Sequence, residues 1–389
     1  MTILAGAPGT ALPVDRSALA ERVKQLAREA GFDRVGIAAA TPSEQGEALH
    51  AWLARGDHAG MSWLARDPER RLRPADLLPG AVSIVAVALH YHPAPDGGEE
   101  PGGDLWPRVA RYARGEDYHE VMGDGLRRLA AEIERLAPEA RTRPYVDTGP
   151  LLEREVAARA GLGAVGKHTL LLHPEHGSWF LLGELLTDLD LAPDEPLADP
   201  CGSCTRCLAA CPTGALAEPY RLDARRCISY WTIEHRGPVP AEARRGLGEW
   251  VFGCDLCQEA CPWNREPPPA TEPRLSLPPE REELDLGGLL KLGRTRYVDL
   301  FRRSPMKRAK LEGLQRNAAL AAGNRADPAY LPALGTALRN PSPVVREAAA
   351  WALARIGGER AAALLAAAAE EEPDPRLRAA LIAAPEANC

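Results

Sequence analysis

The sequence predicts three parts: a mixed α/β domain, a cysteine-rich domain suited to iron and sulfur, and an α-helical domain at the C-terminal end. Three observations carry this. Helical and strand-like periodicities alternate over roughly the first 190 residues. Eight of the nine cysteines lie between residues 201 and 261. From residue 310 onward the composition shifts to alanine, leucine and arginine. The 389 residues suffice for two or three separate cores, and the expected boundaries are 1–192, 193–268 and 269–389.

Bulk composition excludes several classes. The formal net charge is -7, and only five of the 47 basic residues are lysines. The acidic balance argues against a generic nucleic-acid coat but leaves room for a local basic face. The stretch MTILAGAPGTALPVDRS lacks the basic start and apolar core of a signal peptide. The strongest apolar run, AVSIVAVAL at 81–89, is too short to span a bilayer. A soluble, cytoplasmic protein with no membrane partner is expected. Nothing suggests a subunit interface, so a monomer is expected. Cys389 reads as an incidental exposed thiol.

The elements follow in order. ALAERVKQLAREAG (18–31) has helical periodicity and stops at Gly31, which tolerates the left-handed conformation of a helix end. VGIAAA is a strand, SEQGEALHAWLARG a second helix, and AVSIVAVAL a buried strand. GEDYHEVMGDGLRRLAAEIERLAP starts a long amphipathic helix, and LEREVAARAGLG another. SWFLLGELLTDLDL reads as strand with a turn. APDEPLADP (192–200) is a boundary, and NREPPPATEPRLSLPPEREE is a second linker, too proline-rich for regular structure. LEGLQRNAALAAGN and VVREAAAWALARIGG resemble each other, as paired stacking helices of the HEAT type do. About two such units fit, too few to stand without the preceding domain; a plain helical bundle is the alternative.

The cysteines carry the chemistry. Cys201, Cys204, Cys207 and Cys211-Pro212 match the C-x2-C-x2-C-x3-C-P run of a bacterial ferredoxin-like, two-cluster module. In such modules the fourth cysteine serves the other cluster, so a second run is required. Cys254, Cys257 and Cys261-Pro262 repeat the last three positions, with Val251 where the first cysteine belongs. Cys227 is the spare cysteine nearby and is assigned as the replacement. One 4Fe–4S cluster then takes Cys201, Cys204, Cys207 and Cys261; the other takes Cys211, Cys227, Cys254 and Cys257. Zinc also accepts four thiolates, but its sites show paired C-x2-C knuckles. Two clusters imply electrons from a soluble low-potential donor, passed on to something bound in the α/β domain.

No G-x-G-x-x-G follows a strand, and there is no Walker motif, so nucleotide sites are unsupported. DYHEVMG (117–123) misses a cobalamin D-x-H-x-x-G signature because Met122 holds the glycine's place. Asp147 ends a short strand in RPYVDTGP. It reads either as a general acid, if burial raises its pKa, or as the cap of a helix near Leu151. The Gly-Lys-His-Thr loop (166–169) suits backbone contacts with a large polar ligand, or is an ordinary turn. Residues 294–316 carry eight Arg/Lys against two acids, and RLDARR (221–226) adds charge. Either run could follow a phosphate backbone or be a solvated face.

YARGEDYH, YVDTGPLLER, GAVGKHTLLL, the ferredoxin-like run, CISYWTIEHRG and FGCDLCQEACPWN together resemble the epoxyqueuosine reductase family, over residues 20–265. The helical tail resembles its longer members. The resemblance implies a reductive-dehalogenase-like, cobalamin-binding α/β domain without a protein histidine on cobalt. It implies reduction of epoxyqueuosine to queuosine at the wobble position of tRNA. Asp147 would be the proton donor. Arg70, Lys167, His168, Thr169, Ser229, Tyr230 and Asp255 would line the cobalamin, with asparagine in many members where His168 stands here. Arg154 would reach the tRNA or its modified base. Two other readings are a cobalamin-dependent reductase of a small molecule and a non-catalytic electron-transfer protein.

Overall fold

The computed structural model describes residues 15–93 and 103–383; the stretch read for a signal peptide lies almost wholly outside these, as does Cys389. Four strands form an antiparallel sheet in the order β1–β2–β6–β3. They are β1 (Arg34–Ala39), β2 (Ser83–His90), β3 (Thr142–Tyr145) and β6 (Phe180–Thr187). β4 (Ala164–Val165) and β5 (Leu171–Leu172) make a separate small hairpin.

β2 is buried along its whole length because both faces of the sheet are covered. Val85, Val87 and Leu89 pack with the helices Arg16–Glu29 and Tyr118–Leu136. Ile84, Ala86 and Ala88 pack with the helix Glu153–Arg159. A strand with two dry faces needs apolar residues at every position, which explains the unbroken run. The helices start where short acids can cap them. Asp15 accepts from the Ser17 and Ala18 N–H groups, and Asp117 from the His119 N–H. Gly31 has φ +100°, the left-handed stop expected.

The proline-rich segment after the cysteines is not a loose tether. It makes short 3-10 turns at Pro273–Leu275 and Pro279–Arg281 and runs across the N-terminal half. Trp106 Nε1 donates to the Arg281 carbonyl at 2.8 Å, and Arg281 Nη2 donates to the Gly115 carbonyl at 2.9 Å. Composition signals the lack of regular structure, but not the packing that proline's stiffness makes inexpensive.

Beyond it the helices Lys310–Arg325, Leu331–Ala337, Pro343–Ile356, Glu359–Glu371 and Pro375–Ala383 stack on one another. They lean on the cysteine region, as so short an array must. Arg316 is 1% exposed and donates to the carbonyls of Trp231 (2.6 Å), His235 (2.9 Å) and Gly237 (2.8 Å). Asn317 donates to those of Thr232 and Val251, both at 2.8 Å. One apolar core accordingly runs from Trp106 through Val251 to Leu381. No helix among the described residues is long and apolar enough to cross a membrane.

The closest approach in the α/β part is at Gly36, where a Cβ would stand 1.9 Å from the Ala160 carbonyl oxygen. Gly36→Ala is expected to destabilise the fold by about 1–3 kcal/mol, as overpacking does. A lower thermal midpoint of the cluster-loaded protein would register it; an unchanged midpoint would show that the helix end simply moves away.

Candidate active site

The eight cysteines occupy loops and single helical turns, around Arg206–Ala210 and Leu256–Glu259. Their mutual electrostatic influence sorts them. Cys261 feels Cys207 and Cys204, and Cys201 feels Cys261. Cys254 feels Cys257 and Cys227, and Cys227 feels Cys211. Cys257 feels Cys227 and also Cys207 and Cys211, so the two sets adjoin. Burial raises most of these thiols, as in any apolar pocket awaiting a cation. Among the described residues, the only His, Cys, Asp or Glu trio tight enough for a single metal ion contains no cysteine. The thiols are thus too widely spread for a tetrahedral zinc centre.

A cavity of about 1280 Å³, its mouth included, opens beside them. Its lining includes Cys211, Cys227, Cys254 and Cys257, and none of the other four cysteines. One set therefore faces the cavity and the other lies behind it. The rest of the wall is mostly apolar, with Leu170, Leu181, Leu182, Leu216 and Ile228, and with a few polar groups.

Those polar groups include several that the sequence nominated. Arg154, His168, Thr169, Ser229 and Asp255 line the cavity. Asp255 is 2% exposed and accepts the Arg111 N–H at 2.8 Å and Arg111 Nη1 at 3.1 Å. Burial lifts its pKa to about 6 against the pull of Arg111. Thr169 takes φ +68°, and its carbonyl accepts from Arg154 Nη1. Burial, and then the Arg154 charge, push His168 down to about 4, so its ring is neutral. Its Nδ1 accepts the Leu170 N–H at 3.1 Å, which puts the proton on Nε2. That N–H is buried without a partner.

Four nominated residues, Asp147 among them, are not in the lining. Lys167 is spent on the cysteine loop: Nζ donates to the Gly202 and Cys204 carbonyls at 2.6 and 3.0 Å, and its N–H reaches Cys201 Sγ at 3.4 Å. The Tyr230 hydroxyl accepts the Gly60 N–H at 3.0 Å. Arg70 is exposed on the short helix Pro68–Leu72, while its neighbour Arg71 faces Glu153.

Asp147 stands on a loop after β3 with φ +53°. It does not cap the following helix, which has no side-chain cap; instead Glu153, in that helix's first turn, accepts the Asp147 N–H. The expected rise in its pKa does not occur either. A hydrogen bond from His119 Nε2 at 3.1 Å, the largest influence, holds the carboxylate below its ordinary range despite burial. Burial opposes charge on His119, but Asp117 (2.7 Å from Nδ1) and Asp147 outweigh it and lift the imidazole to about 9. The proton of the pair therefore rests on His119, within reach of Asp147. Lys307 Nζ, 2.7 Å from Asp117, and the charge of Arg308 bring the C-terminal domain to the same spot.

Beneath the loop lies a second carboxyl pair that motif reading missed. Glu184 on β6 is fully buried, and neither oxygen has a donor. Its neighbour is Glu153, which burial and the Asp147 charge lift to about 7. Protonating a carboxyl at pH 7 costs about 3–4 kcal/mol. Leaving it ionised and unpaired in the core costs several kcal/mol more than that Coulomb-free alternative. Glu184 is thus held as the acid, and its proton faces Glu153. The available signal was a lone glutamate in the apolar run FLLGELL.

A protein that sets cluster-binding thiols in the wall of a ligand-sized cavity, with a proton relay close by, is an iron–sulfur oxidoreductase. Residues 200–264 match the 4Fe-4S double cluster binding domain family, residues 307–384 HEAT repeats, and residues 71–148 the family described as epoxyqueuosine reductase QueG, DUF1730. An epoxyqueuosine reductase of Xanthomonas campestris is 40% identical over 355 residues, covering 88% of this chain and 98% of the relative. That of Escherichia coli is 40% identical over 345 residues, covering 88% and 91%. A crystal structure of a selenomethionine-labelled epoxyqueuosine reductase superposes with TM-score 0.87 at 34% identity, covering 95% of this chain and 98% of that one. Another, with an epoxyqueuosine-modified tRNA-Tyr stem loop, gives 0.85 at 34% identity over the same shares. The chain belongs to the epoxyqueuosine reductase family.

The His119 shift sets a pH signature. Its folded pKa is raised above the unfolded value of about 6.5, so its stabilisation is complete below that pH and is lost as pH rises through about 9. His119→Asn is expected to flatten the fall in thermal midpoint across that window. An unchanged slope would place the proton elsewhere.

Proposed function

We propose that this chain reduces the epoxide of epoxyqueuosine in tRNA to the alkene of queuosine, using cobalamin and two 4Fe–4S clusters. The observation that carries the reading is that four thiols line one cavity whose wall also feels the charge of Asp147, the partner of His119. Arg154 and Tyr112 line that cavity, and both feel the Asp147 charge. The relative solved with a modified stem loop supports the substrate.

Cys201, Cys204, Cys207 and Cys261 hold the outer cluster; Cys211, Cys227, Cys254 and Cys257 hold the inner one. Clusters held there would carry electrons from a soluble donor to the cavity that the second set of thiols lines. The cavity fits a corrinoid: its wall is largely apolar, and the unpartnered Nε2–H of His168 needs the kind of acceptor that a corrin's amide edge offers. Because that nitrogen carries the proton, His168 is a hydrogen-bond donor here and no cobalt ligand. Ser229, Thr169 and Asp255 are the other polar groups placed to hold the ring's edge. Bound cobalamin supplies a strongly reducing metal centre next to the substrate.

Two electrons and two protons convert the epoxide to the alkene and one water. Asp147 takes up the proton held on His119 and passes it to the departing oxygen, and the second proton comes from solvent. The loop must be held in place for this, and Glu153 holds its backbone. A relative from Bacillus subtilis has been solved with its catalytic aspartate loop swung out of the active site.

For tRNA, the basic segment contributes less than its charge count suggests. Arg316 is buried, and Arg303, Lys307 and Arg308 pair with Glu116, Asp117 and Glu234. In RLDARR, Arg221 and Arg225 pair with the buried Asp57, so that run is an anchor. Arg294, Arg296, Arg302 and Lys310 are exposed and sit where a phosphate backbone can meet them.

The test is an anaerobic assay on tRNA carrying epoxyqueuosine, read by nucleoside mass spectrometry. Asp147→Ala is expected to lower conversion about 10²–10⁴-fold with both clusters retained. Full activity would remove Asp147 from the chemistry. Cys227→Ser is expected to drop iron from about eight to about four per chain; a full complement would overturn the assignment of Cys227.

A further inference from the structure

The turn between β5 and β6 carries a side-chain cluster that the reaction above does not use. His173 and Gly177 exchange backbone hydrogen bonds of 2.8 and 2.9 Å, folding Pro174–His176 into a tight turn. Ligand atoms of His173, Glu175 and His176 thereby lie within 4.8 Å of one another. His173 is 7% exposed and His176 is partly buried, with an unpartnered Nδ1. From the end of β2, His90 stacks on His176 with ring centres 5.4 Å apart. His90 is 4% exposed, and its Nδ1 also has no partner.

His90 and His176, packed together with His173, each bury a ring nitrogen without a partner, and that needs a reason. Plain core packing is a poor one, because a buried ring nitrogen without a bond loses its hydration for nothing. The charged groups acting on the cluster are Arg34, Asp33 and Glu175.

We propose that His173, Glu175 and His176 bind a divalent transition metal of the zinc class. Two histidines and a glutamate are a known zinc donor set that leaves a fourth position to water. His90, buried and unpartnered beside the trio, is the group such a water would bond to. Coordination through His173 Nε2 would break the bond in which Nδ1 accepts the Glu175 N–H at 3.1 Å, a small loss against metal–ligand bonds. The metal would be structural. His90 also meets Phe180 edge-on at 5.8 Å, and Phe180 lines the cavity, so the site would brace the cavity's rear wall.

The experiment uses the full chain with both clusters loaded anaerobically, and zinc as the probe. Zinc is titrated in competition with a chromophoric chelator into wild type, His176→Ala and Glu175→Gln, with iron and sulfide measured throughout. The expected result is one zinc per wild-type chain and affinity weakened at least about tenfold in each variant, with cluster content unchanged. X-ray absorption should show nitrogen and oxygen neighbours at roughly 2.0–2.2 Å and no sulfur at about 2.3 Å. Equal zinc uptake in the three proteins, no uptake in wild type, or sulfur in the shell would each overturn the proposal. Glu175 is exposed, so Glu175→Gln keeps the test valid if His176→Ala misfolds.

Discussion

One buried carboxylate holds the working parts together. Asp117 is 3% exposed, caps the helix Tyr118–Leu136, bonds His119 Nδ1 and pairs with Lys307. Its own N–H donates to the Arg303 carbonyl at 2.8 Å. The α/β domain, the His119 imidazole and the start of the helical array therefore meet at one side chain. Removing one member of such a buried charged network leaves the others uncompensated, which is why its cost exceeds that of any single contact.

Around that joint, each proton is placed by environment and not by residue type. Asp117 and Asp147 stay ionised because donors face them, while Glu184 stays protonated because none does. Three acids and one imidazole thus take up anionic, neutral and cationic states side by side. The arrangement leaves Asp147 ionised with a proton held on the neighbouring imidazole.

Much of this was readable in advance. The cysteine spacing carried the double-cluster domain, because ligand spacing is a local property. The buried strand and the helix stop at Gly31 were legible for the same reason. What failed was non-local. His119 and Asp147 are 28 residues apart, and the shift of Asp147 depends chiefly on that contact. Lys167 looked like part of a ligand loop because motif reading sees its neighbours in sequence and not the carbonyls of Gly202 and Cys204. The basic segment was overcounted because charge in a sequence does not reveal that Arg316 is buried.

The sorting of the thiols has a consequence for how the protein is made. Cys261 sits with Cys204 and Cys207, while Cys211 sits with Cys227 and Cys257. Each set mixes early and late cysteines, so neither is complete when the first run leaves the ribosome. Cys201 to Cys211 wait as bare thiols for some fifty further residues of synthesis, at ordinary elongation rates several seconds. During that interval the nascent chain is open to oxidation and to the wrong metal, and its maturation is governed by timing as much as by affinity.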